Sequence, residues 1–145
     1  MIALLQRVTS ARVDIDGASV GEIGTGLMVL TAVHRDDEEK DIGRLAERIC
    51  TYRVFPDDEG RMNRSLEDIG GGLLLVPQFT LAADTKKGTR ASFTKAAAPE
   101  KGTEYFDLLV KACKNRLETV ETGRFGANMQ VSLTNDGPVT FWLES

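Results

Sequence analysis

Few side chains in this chain are equipped for chemistry, and those that stand out fall in two short segments. In Leu73-Leu74-Leu75-Val76-Pro77-Gln78-Phe79-Thr80-Leu81-Ala82-Ala83, an apolar run carries Gln78 and Thr80 into a stretch expected to be buried, where polar side chains need partners. Thr80 is the best candidate for a nucleophile or hydrogen-bond donor. A threonine hydroxyl needs a base to attack an ester, however, and the sequence implies no His, Lys or acid nearby. His34 is the only histidine; at the end of the Val29–Val33 run, beside Arg35-Asp36-Asp37, it reads as a surface turn residue rather than part of a Ser-His-Asp or Cys-His machine. One histidine and two scattered cysteines do not make a usual zinc shell, and Pro56-Asp57-Asp58-Glu59-Gly60 lacks the calcium-loop pattern. No metal and no cofactor is expected. The second segment, Asn135-Asp136-Gly137-Pro138-Val139-Thr140, puts a proline inside the strand-like stretch Gln130–Leu143. Proline cannot donate to a sheet ladder, so it marks an edge, a bulge or a sharp bend. Alone these residues spell a β-turn, although an X-Pro bond costs only about 0.5–1 kcal/mol to place cis.

The elements that must position these segments follow from periodicity. Residues 2–8 and 11–15 read as strand, with a turn at Asp16-Gly17 and a return strand through Val20-Gly21-Glu22-Ile23. Leu27–Val33 is a continuous apolar run, as in a strand covered on both faces. Asp36-Asp37-Glu38-Glu39 opens a helix with Ile42, Leu45, Ala46, Ile49 and Cys50 on one face, ending near Tyr52. Val54-Phe55 begins a short strand. After Gly70-Gly71-Gly72, which no Gly-Lys-Ser/Thr follows, the motif strand runs through Leu81. A second helix spans about Pro99 to Leu117 with Phe106, Leu109, Val110 and Cys113 toward the sheet, which makes both cysteines buried free thiols. The prediction is one α/β domain of α+β character over residues 1–145: a curved, largely antiparallel sheet with two helices on one face.

The two segments together resemble the D-aminoacyl-tRNA deacylases (the D-tyrosyl-tRNA(Tyr) deacylase family), whose signatures read Ser-Gln-Phe-Thr-Leu and Asn-x-Gly-Pro-Val-Thr. The resemblance extends to Met1–Val8, to Tyr52-Arg53-Val54-Phe55 with Gly60-Arg61-Met62-Asn63, and to Thr122–Val131. It implies a proofreading hydrolase that cleaves D-aminoacyl-tRNA, with glycyl-tRNA as a further substrate. It also implies a homodimer with paired sheets forming a barrel-like core. In that reading the catalytic segment is Gln78, Phe79 and Thr80, and main-chain amides polarise the ester carbonyl with help from the 2′-hydroxyl of the terminal adenosine. Gly137 and Pro138, joined by a cis bond and clamped by Arg7, enter the partner's site as a chiral selector, while Phe125 and Met129 hold the adenine. Where the family has Ser, this chain has Pro77; a related animal branch that edits an L-amino acid has Pro there, with Ala in place of the Phe. Phe79, Arg7 and Val139 follow the D-specific pattern. The alternatives are an L-aminoacyl-tRNA editor and a tRNA-end binding module without catalysis.

Charge bears on the partner. A net charge of −4 among 145 residues and a pI near 5.1 argue against a general nucleic-acid binder. Yet from Thr85 to Lys101 the chain places Lys86, Lys87, Arg90, Lys95 and Lys101 against one acid, Glu100. With the motifs, Lys86, Lys87 and Arg90 are expected to contact the tRNA backbone. No DNA and no membrane partner is expected. The opening residues alternate as a strand and no apolar run is long enough to span a bilayer, which points to a cytoplasmic protein.

Overall fold

A computed structural model describes all 145 residues. The sheet is organised around β1 (Ile2–Ile15), in which the two runs read separately from sequence continue as one strand of 14 residues. Thr9 and Ser10, polar between them, are simply exposed positions in extended backbone, a conformation that β-branching favours at Thr9. On one side β1 pairs antiparallel with β2 (Ala18–Ile23) and β3 (Gly26–Ala32); on the other it pairs along its length with β8 (Gln130–Glu144), also antiparallel.

Beyond β3 the sheet becomes parallel: β3 pairs with β6 (Gly72–Pro77), and β6 with β7 (Val120–Thr122). Parallel neighbours need long crossovers, and these hold the two long helices, α1 (Glu39–Thr51) before β6 and α3 (Pro99–Lys114) after it. Between α1 and β6, β4 (Phe55–Pro56) and β5 (Met62–Arg64) form a small hairpin. Side chains alternate across strands, so Leu27, Val29, Leu73 and Leu75 meet Ile42, Leu45, Ile49 and Leu109 in one core, with Cys50 and Cys113 as free thiols inside it. Met28, Leu74 and Val76 face the other way and pack with Val8, Val13 and Ile23. The sheet is thus mostly antiparallel, curved and nearly barrel-shaped, with α1 and α3 on one face.

Two boundaries and one element differ from the sequence reading. The acidic stretch does not all enter α1: Glu38 is its N-cap, and the Glu38 amide donates to Asp41 Oδ2 at 2.8 Å. The second helix stops at Lys114, three residues before Leu117, which is nonetheless buried. A third helix, the single turn α2 (Leu66–Ile69), was not anticipated; Ser65 and Asp68 cap each other reciprocally and Gly70 at φ 62 ends it, a capping pattern legible in Ser65-Leu66-Glu67-Asp68. The triple glycine has a packing reason at its last member, since a Cβ on Gly72 would lie 3.0 Å from both Cβ and Cγ2 of Ile23.

β8 carries the proline as a bulge. The register passes from Gln6↔Thr140 to Val8↔Asn135, so Arg7 alone faces the four residues Asp136–Val139, and the Gly137-Pro138 bond among them is cis. Beyond the bulge, Leu4 pairs with Leu30 on one side and Trp142 on the other. That patch shares the face that carries no helix, and the Trp142 ring is 49% exposed.

Candidate active site

The motif strand ends at Pro77 rather than Leu81. Gln78 N makes the last ladder bond, to Thr31 O at 2.7 Å, and the chain then turns through a 3-10 helix over Phe79–Ala82. Helical spacing replaces alternation here because it lets Leu81 and Ala82 together pack on Ile2 and Ala32. The expectation that this polar segment is buried is therefore corrected at two positions: Phe79 is 52% exposed and Thr80 is also on the surface. The amides of Phe79 and Thr80 open the turn, where the first N–H groups have no acceptor within it. The Gln78 side-chain amide donates to Thr80 Oγ1, so the hydroxyl is tied to an amide and not to a base.

Beside this turn lies a cleft of about 430 Å³ lined by Pro77, Phe79, Phe93, Ala97, Pro99 and Phe125. Pro77, Phe79 and Phe125 also border a smaller adjoining recess with Val33, Gly102 and Phe106. Phe125 lies so close to α3 that a Cβ at Gly102 would sit 3.0 Å from its ring. Met129, the other residue assigned to the adenine, does not line the cleft. Its sulfur accepts from Arg124 N at 3.3 Å, and its side chain packs on the Val8–Val76 core, filling the space beside Gly123. Phe93, which the sequence reading passed over, forms a tilted pair with Phe79, ring centroids 5.2 Å apart. Its signal was an aromatic ring in an otherwise basic and small-residue loop.

That loop is closed by paired backbone bonds between Asp84 and Ser92, at 2.8 and 3.0 Å. The Lys86 amide donates to the Asp84 carboxylate, which Lys95 also approaches at 3.4 Å; the amide bond first and the lysine charge next hold that carboxyl below its ordinary range. The five cations of this stretch thus divide. Lys95 is spent on Asp84, and Lys101 donates to the carbonyls of Arg35 and Asp37 at 2.7 and 2.6 Å. Lys86, Lys87 and Arg90 have no acidic partner and surround a depression of about 240 Å³ with Asp84 and Ser92.

The second segment forms its own cluster. Arg7 Nε donates to Asp136 O at 3.0 Å and Nη1 to Val54 O at 2.8 Å, so one guanidinium ties the bulge to the segment before the β4–β5 hairpin. Asn135 brackets the bulge from inside: its Oδ1 accepts from Val139 N and its Nδ2 donates to Thr140 Oγ1, both at 2.8 Å. Gly137 sits at φ +141, and a Cβ there would lie 2.6 Å from Val139 Cγ2, 2.9 Å from Val139 N and 3.3 Å from an Arg7 guanidinium nitrogen.

Within one chain the two clusters do not meet. Arg7 stands level with Leu27 and Leu73, whereas Pro77 stands level with Thr31 and Ala3. Four residues separate these rows, about 13 Å along the strands, and three strand spacings, roughly 14 Å, separate β8 from β6.

A family model described as D-Tyr-tRNA(Tyr) deacylase matches residues 4–144. A protein of Alkalilimnicola ehrlichii named D-aminoacyl-tRNA deacylase is 62% identical over 145 residues, covering 100% of this chain and 97% of that one. One of Escherichia coli with the same name is 53% identical over 144 residues, covering 99% of each. A solved structure named c-Myc DNA Unwinding Element Binding Protein superposes with a TM-score of 0.95 at 36% identity, over 100% of this chain and 99% of that one. Another, of a probable eukaryotic D-amino acid tRNA deacylase, superposes at 0.87 with 17% identity over 99% and 98%, which is a likeness of fold.

Proposed function

The chain belongs to the D-Tyr-tRNA(Tyr) deacylase family, hydrolases that remove D-amino acids from tRNA by cleaving an ester bond in translation proofreading, and we propose how its geometry performs that reaction. The terminal adenosine enters the aromatic cleft against Phe125. Its aminoacyl ester then lies over the turn at Phe79 and Thr80, whose amides stabilise the oxyanion as water adds to the carbonyl. The observation that carries this reading is the position of those two amides, opening a 3-10 turn at the mouth of an apolar cleft. Preorganised backbone donors lower a barrier by about 3–4 kcal/mol each, and the ester is already activated. Gln78 orients Thr80, and the adenosine 2′-hydroxyl assists.

Selection falls to the bulge. Because Gly137-Pro138 and the Phe79 turn lie at opposite ends of one chain's sheet, we assign the selector of each cleft to a second copy. The partner docks on the face without helices, where Trp142 is exposed beside the half-buried Leu4 and Leu30. The bulge offers its carbonyls to the amino group and leaves no space for an L side chain; glycine, having none, passes, so glycyl-tRNA is also cleaved. Pro77 favours the second reading, an L-aminoacyl editor, because its ring replaces a hydroxyl in the cleft wall. Parallel hydrolysis of D-aminoacyl-, L-aminoacyl- and glycyl-tRNA decides: the proposal expects turnover of the first and last, and preferred turnover of the L ester contradicts it.

Two further results are expected. Thr80→Ala should lose some activity yet keep a measurable rate, since the amides survive the substitution; a trapped acyl-enzyme on Thr80, or a folded variant with no turnover, would overturn the main-chain mechanism. The triple replacement of Lys86, Lys87 and Arg90 by Ala should raise KM for tRNA by about ten-fold or more at low salt and flatten its salt dependence, with kcat little changed. An unchanged KM and salt slope would show that the depression is only solvated surface. With the body of the protein acidic, this depression is the one place proposed to hold a phosphodiester backbone, and the partner is a tRNA end rather than DNA.

A further inference from the structure

We propose that Phe93 is a stacking subsite for the base of the nucleotide that precedes the terminal adenosine. The inference rests on the cleft as the adenosine site. Phe93 lies at the boundary of two chemically different recesses: its ring lines the aromatic cleft, and its neighbour Ser92 lines the depression formed with Lys86, Lys87 and Arg90. A strand whose last nucleoside occupies the cleft leaves it toward those cations, because its phosphates are drawn there, and the preceding base passes over Phe93. The ring is 43% exposed and leans on Phe79 at 51° rather than lying flat against it.

The backbone under Phe93 is fixed. Ser92 is locked to Asp84 on both sides of its peptide, Phe93 O accepts from Ala96 N at 3.1 Å, and Arg35 Nη1 donates to Thr94 O at 3.2 Å. An aromatic ring on a rigid loop between an apolar slot and a basic depression is the arrangement that grips single-stranded nucleic acid: cations track the backbone while rings stack on bases. Every base has a flat face, so the subsite accepts any base at that position.

The test compares the D-aminoacyl esters of adenosine, of a cytidylyl-adenosine dinucleotide and of the same dinucleotide lacking its 5′ base, on wild type, Phe93→Ala and Phe93→Trp. Phe93 also walls the adenosine cleft, so Phe93→Ala should lower kcat/KM on all three esters, but on the dinucleotide ester it should cost on the order of ten-fold more than on the adenosine ester or the abasic dinucleotide. Phe93→Trp should retain the wild-type preference. Equal losses on all three esters would mean that Phe93 only shapes the adenosine cleft, and no loss on the dinucleotide would mean that it touches no base; either overturns the proposal. Phe125→Ala, run alongside, separates the underlying reading: if it hydrolyses the adenosine ester as wild type does, the cleft is not the adenosine site and the subsite falls with it.

Discussion

Gly137→Ala should largely erase the preference for D- over L-aminoacyl-tRNA and lower kcat/KM on the D substrate by about 30-fold or more, corresponding to roughly 2–4 kcal/mol. The cause is local. At φ +141 an L side chain is strained, and the new Cβ would stand 2.9 Å from the Val139 amide nitrogen, backbone that cannot swing aside as a side chain does. The bulge must therefore move, and Val139 N and the Arg7 guanidinium are the groups that it moves against. Such strain costs of order 1–3 kcal/mol, and because the bulge lies on an exposed edge strand the fold absorbs it with a fall in Tm of only several degrees. Circular dichroism melting beside D and L kinetics tests both halves. An unchanged D-to-L ratio contradicts the assignment of Gly137 to selection, whatever happens to Tm.

The second large effect belongs to Arg7. Its side chain is 13% exposed, its guanidinium donates to Val54 O and Asp136 O from two separate segments, and Nε also lies 3.6 Å from Asp136 Oδ2. Hydrogen bonds to a charged donor contribute about 1.5–3 kcal/mol each. Arg7→Ala should thus lose about 100-fold in kcat/KM for the D ester and gain relative activity on the L ester as the bulge becomes free. Arg7→Lys should recover only part of this, because an ammonium lacks the fixed fork that spans two carbonyls. The D-to-L ratio is the readout that matters: a purely structural arginine would lower Tm in both variants and leave the ratio alone.

Much of this architecture was legible from residue patterns. The one-sided helices, the doubly covered strand Leu27–Val33 and the disruption of the last strand at Pro138 follow from spacing and from proline's missing amide. What escaped has identifiable causes. Phe79-Thr80-Leu81-Ala82 continues an apolar run, and only the tertiary contact of Leu81 and Ala82 with Ile2 and Ala32 makes a turn better than another strand segment. Met129 lies just before β8, whose pairing with β1 begins at Gln130, so nothing in Thr122–Val131 alone showed that its side chain packs on the Val8–Val76 core. Of the loop cations, the sequence reading singled out Lys86, Lys87 and Arg90; what it could not show is that Lys95 and Lys101 are held by Asp84 and by two carbonyls, contacts that only the folded chain makes. Phe93 was hidden for a different reason, as one ring among small residues with no periodicity to mark its face.

If each cleft is completed by the bulge of a second copy, two differently defective subunits should complement each other. Ala97→Trp should fill the cleft while leaving that subunit's bulge intact; Gly137→Ala damages the bulge while leaving its cleft intact. Each homodimer should be inactive or unselective. In a purified mixed dimer with differently tagged subunits, two-fold symmetry gives one site with both parts sound, and about half of the wild-type D-aminoacyl-tRNA turnover should return together with rejection of the L ester. A mixed dimer no better than its parents would contradict the account, because a bulge acting on its own chain's cleft leaves no intact site in that pairing.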